Sequence, residues 1–384
     1  MAARLLKNCN ALLPDGLQAA TDIRIDADVI ERIGQNLPAA GADLLDATGL
    51  IVAPGFIDLH VHGASGAMCE QAETAGIERI SATLARFGVT GFLATVATLP
   101  RERLHAAVEA IAAVSGGEPG ARILGIHLEG PYLSPWRAGA QVGRWMRAPS
   151  IEEFDALQEV CGERIRLVTV APELDGALPF IAAVRERGVT VALGHSNATD
   201  EEMLLGIEAG ATHVTHLFNA MGVLHHREPG AVGIALTEDA VSVELICDGH
   251  HVAPRVVDLA LRCKPPGKVV LVSDAVGALG LPEGDYEMFG VSCTIADGTV
   301  RLKQGGTFAG SCLSLDQAIR NVRSWLPRME RADVLRAASS DPAAVIGEAS
   351  TGQITEGCGA DLVVLDLDLE VVETICRGTT VWKR

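Results

Sequence analysis

The strongest constraint in this sequence is an alternation. Eight runs rich in Val, Ile and Leu recur at Ile51–His62, Val89–Thr98, Ile123–Glu129, Ile165–Val170, Val189–His195, Ala211–Leu217, Val241–Cys247 and Lys268–Asp274. Amphipathic stretches separate them, as at Ile77–Phe87, Glu102–Ala113, Ile151–Cys161 and Leu178–Arg187. Strands apolar on both faces and alternating with helices predict a parallel sheet covered by helices. Eight such units over roughly 250 residues predict an α/β fold of the closed (β/α)8 barrel type rather than an open doubly wound sheet.

The two chain ends have a different texture. Residues 1–52 read as short strands broken by turn signals at Pro14-Asp15-Gly16 and Ala40-Gly41, and residues 352–384 resemble them. The ends are expected to pair as one small β-sandwich domain, leaving 53–351 as a catalytic barrel reached through Ala53-Pro54-Gly55. Asp285–Leu302 alternates and contains Asp297-Gly298, so a hairpin at 285–302 is expected after the eighth strand.

Composition excludes several functions. Lys and Arg number 31 against 49 Asp and Glu, a net charge of −18 with no basic run, which argues against nucleic-acid binding. The nine cysteines are scattered without a Cys-x-x-Cys pair, so neither a disulfide framework nor a thiolate zinc site is expected. No run of eighteen apolar residues occurs, and a cytoplasmic protein without a membrane partner is the expectation. The glycine cluster Gly305–Gly310 lacks the lysine and spacing of a P-loop, so nucleotide binding has no support.

Polar residues gather where the runs end. The first closes on His60 and His62, which period-2 alternation turns to one side. The third closes on His127 and Glu129, the fifth on His195, the sixth on His213 and His216, and the eighth on Asp274. In a barrel these ends meet at one mouth, where active sites are built. Imidazoles with carboxylates suit zinc or iron, and three protein ligands with an open position mark a catalytic site. A lone strand-end histidine is more often a hydrogen-bonded structural residue, which is the reading for His105 and His213. His127 reads as a core residue or as an outer support of the cluster.

The segments Pro54–Gly63, His127-Leu128-Glu129-Gly130-Pro131, Gly194–Ala198, Thr215–Met221, His226–Gly230, Asp248–Val252 and Ser273-Asp274-Ala275 together resemble the N-acetylglucosamine-6-phosphate deacetylase family of the amidohydrolase superfamily. The resemblance implies a metal-dependent hydrolase that removes the acetyl group of an N-acetylamino-sugar 6-phosphate. It implies Glu129, His195 and His216 as ligands of a principal divalent metal, zinc first and iron second. His60 and His62 match members that hold a second ion bridged by Glu129, giving one or two ions per subunit. Asp274 matches the general acid/base. Arg227, Asn219 and Ala220 match phosphate and substrate contacts, the arginine reaching the neighbouring subunit of a homodimer, and His251 matches a sugar-hydroxyl contact. The bland alternative for Arg227 is a surface ion pair with Glu228. One position departs from the family: Gln141 stands where a histidine commonly polarises the acetyl carbonyl, so this substrate-binding position is expected to polarise more weakly or to read another group.

Overall fold

Apolar side chains on both faces of a strand require cover on both sides, and the chain supplies it with a barrel. The structure is a computed structural model describing residues 3–39, 41–288 and 291–384. Ala40, in one expected turn, and Phe289 and Gly290, inside the expected hairpin, lie outside the described residues. Eight parallel strands follow one another in chain order around the barrel: β1 (Phe56–Val61), β2 (Val89–Ala97), β3 (Arg122–Glu129), β4 (Ile165–Val170), β5 (Thr190–Leu193), β6 (His213–Val214), β7 (Ser242–Ile246) and β8 (Val269–Val272). Every residue of β1 and β2 is buried. Each expected run therefore contains a barrel strand.

β8 and β1 meet without a continuous ladder. The backbone N–H groups of His62 and Gly63 donate to Ala275 O at 2.8 and 2.9 Å. Asp58, fully buried, accepts from the backbone N–H of His60 at 3.2 Å and of Ser273 at 3.3 Å. Burial pushes its carboxyl up to about 7 against the lowering effect of those hydrogen bonds. The seam between first and last strand is thus stitched at the end where the site lies.

The first expected run is two strands, not one. Ile51–Pro54 pairs antiparallel with Leu362–Leu365, whereas β1 pairs with β2. Gly55 is the switch: its N–H donates to Asp361 O, and the next, of Phe56, donates to Gly88 O. A Cβ on Gly55 would lie 2.1 Å from Thr90 Oγ1, so the Thr90 side chain fills the space any side chain at Gly55 would need.

Both chain ends enter one eight-stranded sheet, ordered Thr379–Lys383, Val371–Cys376, Leu362–Leu365, Ile51–Pro54, Ala3–Leu13, Gly16–Asp26, Val29–Gly34, with Ala42–Asp46 parallel to Ala3–Leu13. Period-2 alternation divides its side chains. Leu362 and Val364 pack into the sheet's own core with Leu6, Ile23 and Ile25, while Val363 and Leu365 pack into the barrel core. The first two strands are eleven residues each, longer than the sequence texture predicts. Register shifts around Cys9, with Asn8 at φ 59°, break the alternation inside a continuous strand, and the expected turn at Pro14-Asp15-Gly16 joins it to the next.

After β8 the chain forms a four-stranded antiparallel sheet (Gly284–Met288, Val291–Ala296, Thr299–Leu302, Phe308–Ser311) rather than a single hairpin. Asp297 and Gly298 turn it at φ 50° and 69°, as their type predicts. The added strand Phe308–Ser311 follows a glycine-rich stretch that carries no strand signal. No helix among the described residues is long and apolar enough to cross a membrane. Substituting Gly55→Ala is expected to destabilise the protein by about 1–3 kcal/mol through overpacking against buried Thr90; an unchanged thermal unfolding midpoint would contradict the switch-point role.

Candidate metal centre and active site

The expected polar residues converge at the C-terminal ends of the barrel strands. His60 lies in β1 and His62 just beyond it, Glu129 ends β3, and His195, His216 and Asp274 follow β5, β6 and β8. All six are buried. His195, His216 and Asp274 have φ of 46°, 26° and 50°. Such left-handed backbone costs a non-glycine residue about 1–3 kcal/mol and persists only where the surroundings fix it.

Glu129 is the meeting point. Its Oε1 lies 2.9 Å from His216 Nε2, 3.0 Å from His195 Nε2 and 3.4 Å from His60 Nε2, and its Oε2 lies 3.3 Å from His62 Nε2. Asp274 Oδ1 is 3.4 Å from His60 Nε2 and 3.6 Å from His62 Nε2. Two donor trios result, Glu129–His195–His216 and His60–His62–Asp274, the donor atoms within each lying no more than 4.8 Å apart.

The far ring nitrogens settle which atoms face inward. His60 Nδ1 meets Glu244 Oε2 at 3.0 Å, His62 Nδ1 meets Glu70 Oε1 at 2.8 Å, and His195 Nδ1 meets Arg137 O at 2.8 Å. Carboxylates and carbonyls only accept, so these Nδ1 atoms carry protons, and a neutral ring then turns an Nε2 lone pair inward. Lone pairs converging on a carboxylate, with His195 and His216 Nε2 only 3.0 Å apart, call for a cation among them. The acid–base balance says the same. Burial alone would hold His60 and His62 low, but Asp274, Glu129 and Glu244 raise His60 well above the usual imidazole range, and Glu70 with Glu129 raises His62 to about 10. Burial would raise Glu129, yet His60 and His195 hold it well below the ordinary carboxylate range. The site demands positive charge, and its donor set fits a divalent metal.

Glu70 and Glu244 escaped the sequence analysis. Glu244 Oε1 meets His213 Nε2 at 3.2 Å, while its Oε2 accepts the backbone N–H of His216 at 3.0 Å as well as His60. Its signal was present: it is the one charged residue in the run Val241–Cys247. Glu70 also accepts Ala97 N–H at 3.0 Å, but it sits in a short 3-10 turn that no pattern marks. His127 is wedged between Thr95 and Thr169 hydroxyls at 3.3 and 2.8 Å, edge-on to His60. Burial and the nearby His60 keep it neutral, well below the usual imidazole range. His213 is hydrogen-bonded to Ser242, and His105 lies on the helix Arg101–Val114, away from the cluster.

A cavity of about 250 Å³ opens onto the trios. Asn219, Ala220, His251 and Gln141 line it, as do Trp145, Arg103 and, from the inserted sheet, Phe308. Asn219 Nδ2 donates to the carbonyls of His216 and Leu217, both at 3.3 Å, and His251 Nδ1 meets Asp248 Oδ2 at 2.6 Å. Gln141 contacts Glu129 rather than standing free in the cavity: its Nε2 is 2.5 Å from Glu129 Oε2. Arg227 is not brought to the cavity of its own chain. It is exposed on the loop after β6, with Nη1 2.9 Å from His226 Nε2. Replacing Glu244→Gln removes an acceptor from His60 or the His216 backbone and is expected to weaken zinc affinity about 10–100-fold; a chelator competition giving the wild-type constant would rule that support out.

Comparison with known proteins places the chain in a family. Residues 51–381 match the profile of the amidohydrolase family. The chain is 38% identical to N-acetylglucosamine-6-phosphate deacetylase of Bacillus subtilis (strain 168) over 333 residues, 85% of this chain and 84% of that one. It is 38% identical to N-acetylgalactosamine-6-phosphate deacetylase of Escherichia coli O157:H7 over 330 residues, covering 85% and 87%. A structure of a mutant N-acetyl-D-glucosamine-6-phosphate deacetylase from Mycobacterium smegmatis in complex with N-acetyl-D-glucosamine-6-phosphate superposes with a TM-score of 0.93 at 35% identity, covering 99% of this chain and 100% of that one. With the profile matched over residues 51–381 and relatives 38% identical over most of its length, the chain belongs to the amidohydrolase family.

Proposed function

We propose that this chain hydrolyses the amide of N-acetyl-D-glucosamine 6-phosphate, giving D-glucosamine 6-phosphate and acetate. The observation that carries the reading is one cavity in which Asp274 faces the same buried histidines as Glu129. Glu129, His195 and His216 would hold the principal ion, and His60 and His62 a second one shared through Glu129. Zinc is the first choice and iron the second. A divalent cation there supplies Lewis-acid polarisation of the acyl carbonyl and acidifies water.

The remaining work falls to the chain's own residues. Asp274 takes a proton from the attacking water at Oδ1 and returns it to the departing nitrogen, since an unprotonated amide anion is too basic to leave. Asn219, Ala220 and His251 face the sugar phosphate. Arg227 contributes charge-assisted phosphate bonds of about 1.5–3 kcal/mol each. Being exposed and outside its own cavity, it serves the neighbouring subunit of a homodimer in this reading. A chain of net charge −18 needs such a cation to receive a doubly charged anion. The cytoplasm is the compartment this chemistry and the cysteine usage fit.

The deciding assay is free-amine release by zinc-loaded protein from N-acetylglucosamine 6-phosphate, its 4-epimer and unphosphorylated N-acetylglucosamine. Selective turnover of the first supports the proposal; preference for the 4-epimer would favour the galactosamine substrate of the second relative, and equal turnover with and without phosphate would remove the role of Arg227. Asp274→Asn is expected to lower kcat by about 10²–10⁴-fold with zinc still bound, and undiminished turnover would exclude it as the proton carrier. Arg227→Ala should raise KM for the phosphorylated sugar while leaving the weak hydrolysis of the unphosphorylated one as it was.

A further inference from the structure

We infer that Gln141 is a positioning residue for Glu129 rather than a substrate contact: its side-chain amide fixes the carboxylate at the centre of the site. The inference rests on reading Glu129 as a metal ligand.

Three hydrogen bonds occupy the amide. Gln141 Nε2 donates to Glu129 Oε2 at 2.5 Å and to the Glu129 backbone carbonyl at 3.1 Å. Gln141 Oε1 accepts the backbone N–H of Thr98 at 2.8 Å. The orientation of the amide is forced, because a carboxylate and a carbonyl only accept and a backbone N–H only donates. A flipped amide would set oxygen against two acceptors and N–H against N–H. Both amide protons are therefore spent on Glu129, and none remains for an acyl oxygen in the cavity.

The bridge joins the ends of two adjacent strands. Thr98 follows β2, Glu129 ends β3, and Gln141 comes from the loop between β3 and the helix Ile151–Cys161. Its own backbone N–H donates to Ala138 O at 3.0 Å, so the loop presents the side chain from a fixed base. A neutral imidazole has one donor and one acceptor and could not make both bonds to Glu129 while accepting from Thr98. Glutamine here is matched to a three-point support. With Oε2 held, the rotation of the carboxylate is fixed and Oε1 stays directed at His195 and His216, 3.0 and 2.9 Å away.

The experiment reads zinc affinity of the substrate-free full-length protein by competition with a chromogenic chelator. Gln141→Ala is expected to weaken zinc binding 10–100-fold, as removal of a support behind a ligand does. Gln141→Glu should weaken it further, because a second carboxylate would then face Glu129 Oε2. In both variants the loss of turnover should follow zinc concentration, with KM unchanged. Wild-type zinc affinity in both, combined with a raised KM or a zinc-independent fall in kcat, would overturn the inference and return Gln141 to the substrate. Should Gln141→Ala not fold, Gln141→Met keeps the volume without the hydrogen bonds and carries the same measurement. The zinc readout needs no substrate, so a failure of the deacetylase proposal leaves this test intact and separately readable.

Discussion

A single buried carboxylate organises this protein. Glu129 lies at the inner end of β3 with the Nε2 atoms of His60, His62, His195 and His216 all within 3.4 Å of its oxygens. An isolated carboxylate withdrawn from water costs far more than a marginally stable fold can absorb, so its position depends on the charge and donors brought to it. Four strands meet that demand by ending in imidazole or its support at the same level of the barrel. Closure of the barrel is thus a condition of the site as well as of the core.

The histidines are in turn held from behind by groups on other elements. Glu244 supports His60 across 184 residues and steadies the His216 backbone, and Glu70 reaches His62 from the turn after β1. These contacts set the tautomers, and with them which lone pairs face inward. The left-handed φ of His195, His216 and Asp274 belongs to the same economy of position: strand ends that would otherwise run straight out of the barrel are bent so that their side chains meet. The cavity wall is completed by elements outside the barrel repeat, the loop carrying Gln141 and Trp145 and the inserted sheet carrying Phe308.

Much of this was legible beforehand because it is periodic or compositional. Strand and helix periods differ, so eight double-sided apolar runs separated by helical ones leave few folds besides a barrel. The misreadings have local causes. Ile51–His62 looks like one strand because partner exchange at Gly55 leaves no trace in hydrophobicity. The first strand looks short because register shifts around Cys9 break its alternation, and Phe308–Ser311 is glycine-flanked and too short to show alternation. Arg227 is recognisable by residue type, yet its exposed place on the loop after β6 follows from the path of that loop and not from any pattern in it.

The division between sequence and structure follows from the range of the forces involved. Sequence by itself determined the eight strands and the polar residues at their ends, since these depend on periods and residue chemistry a few positions wide. Only the tertiary structure decided that Glu129 sits between both histidine pairs, that Glu70 and Glu244 stand behind them, and that Gln141 spends its amide on Glu129. Each of those is a contact between separate strands or loops. Its energy depends on a few tenths of an ångström that only the closed barrel fixes.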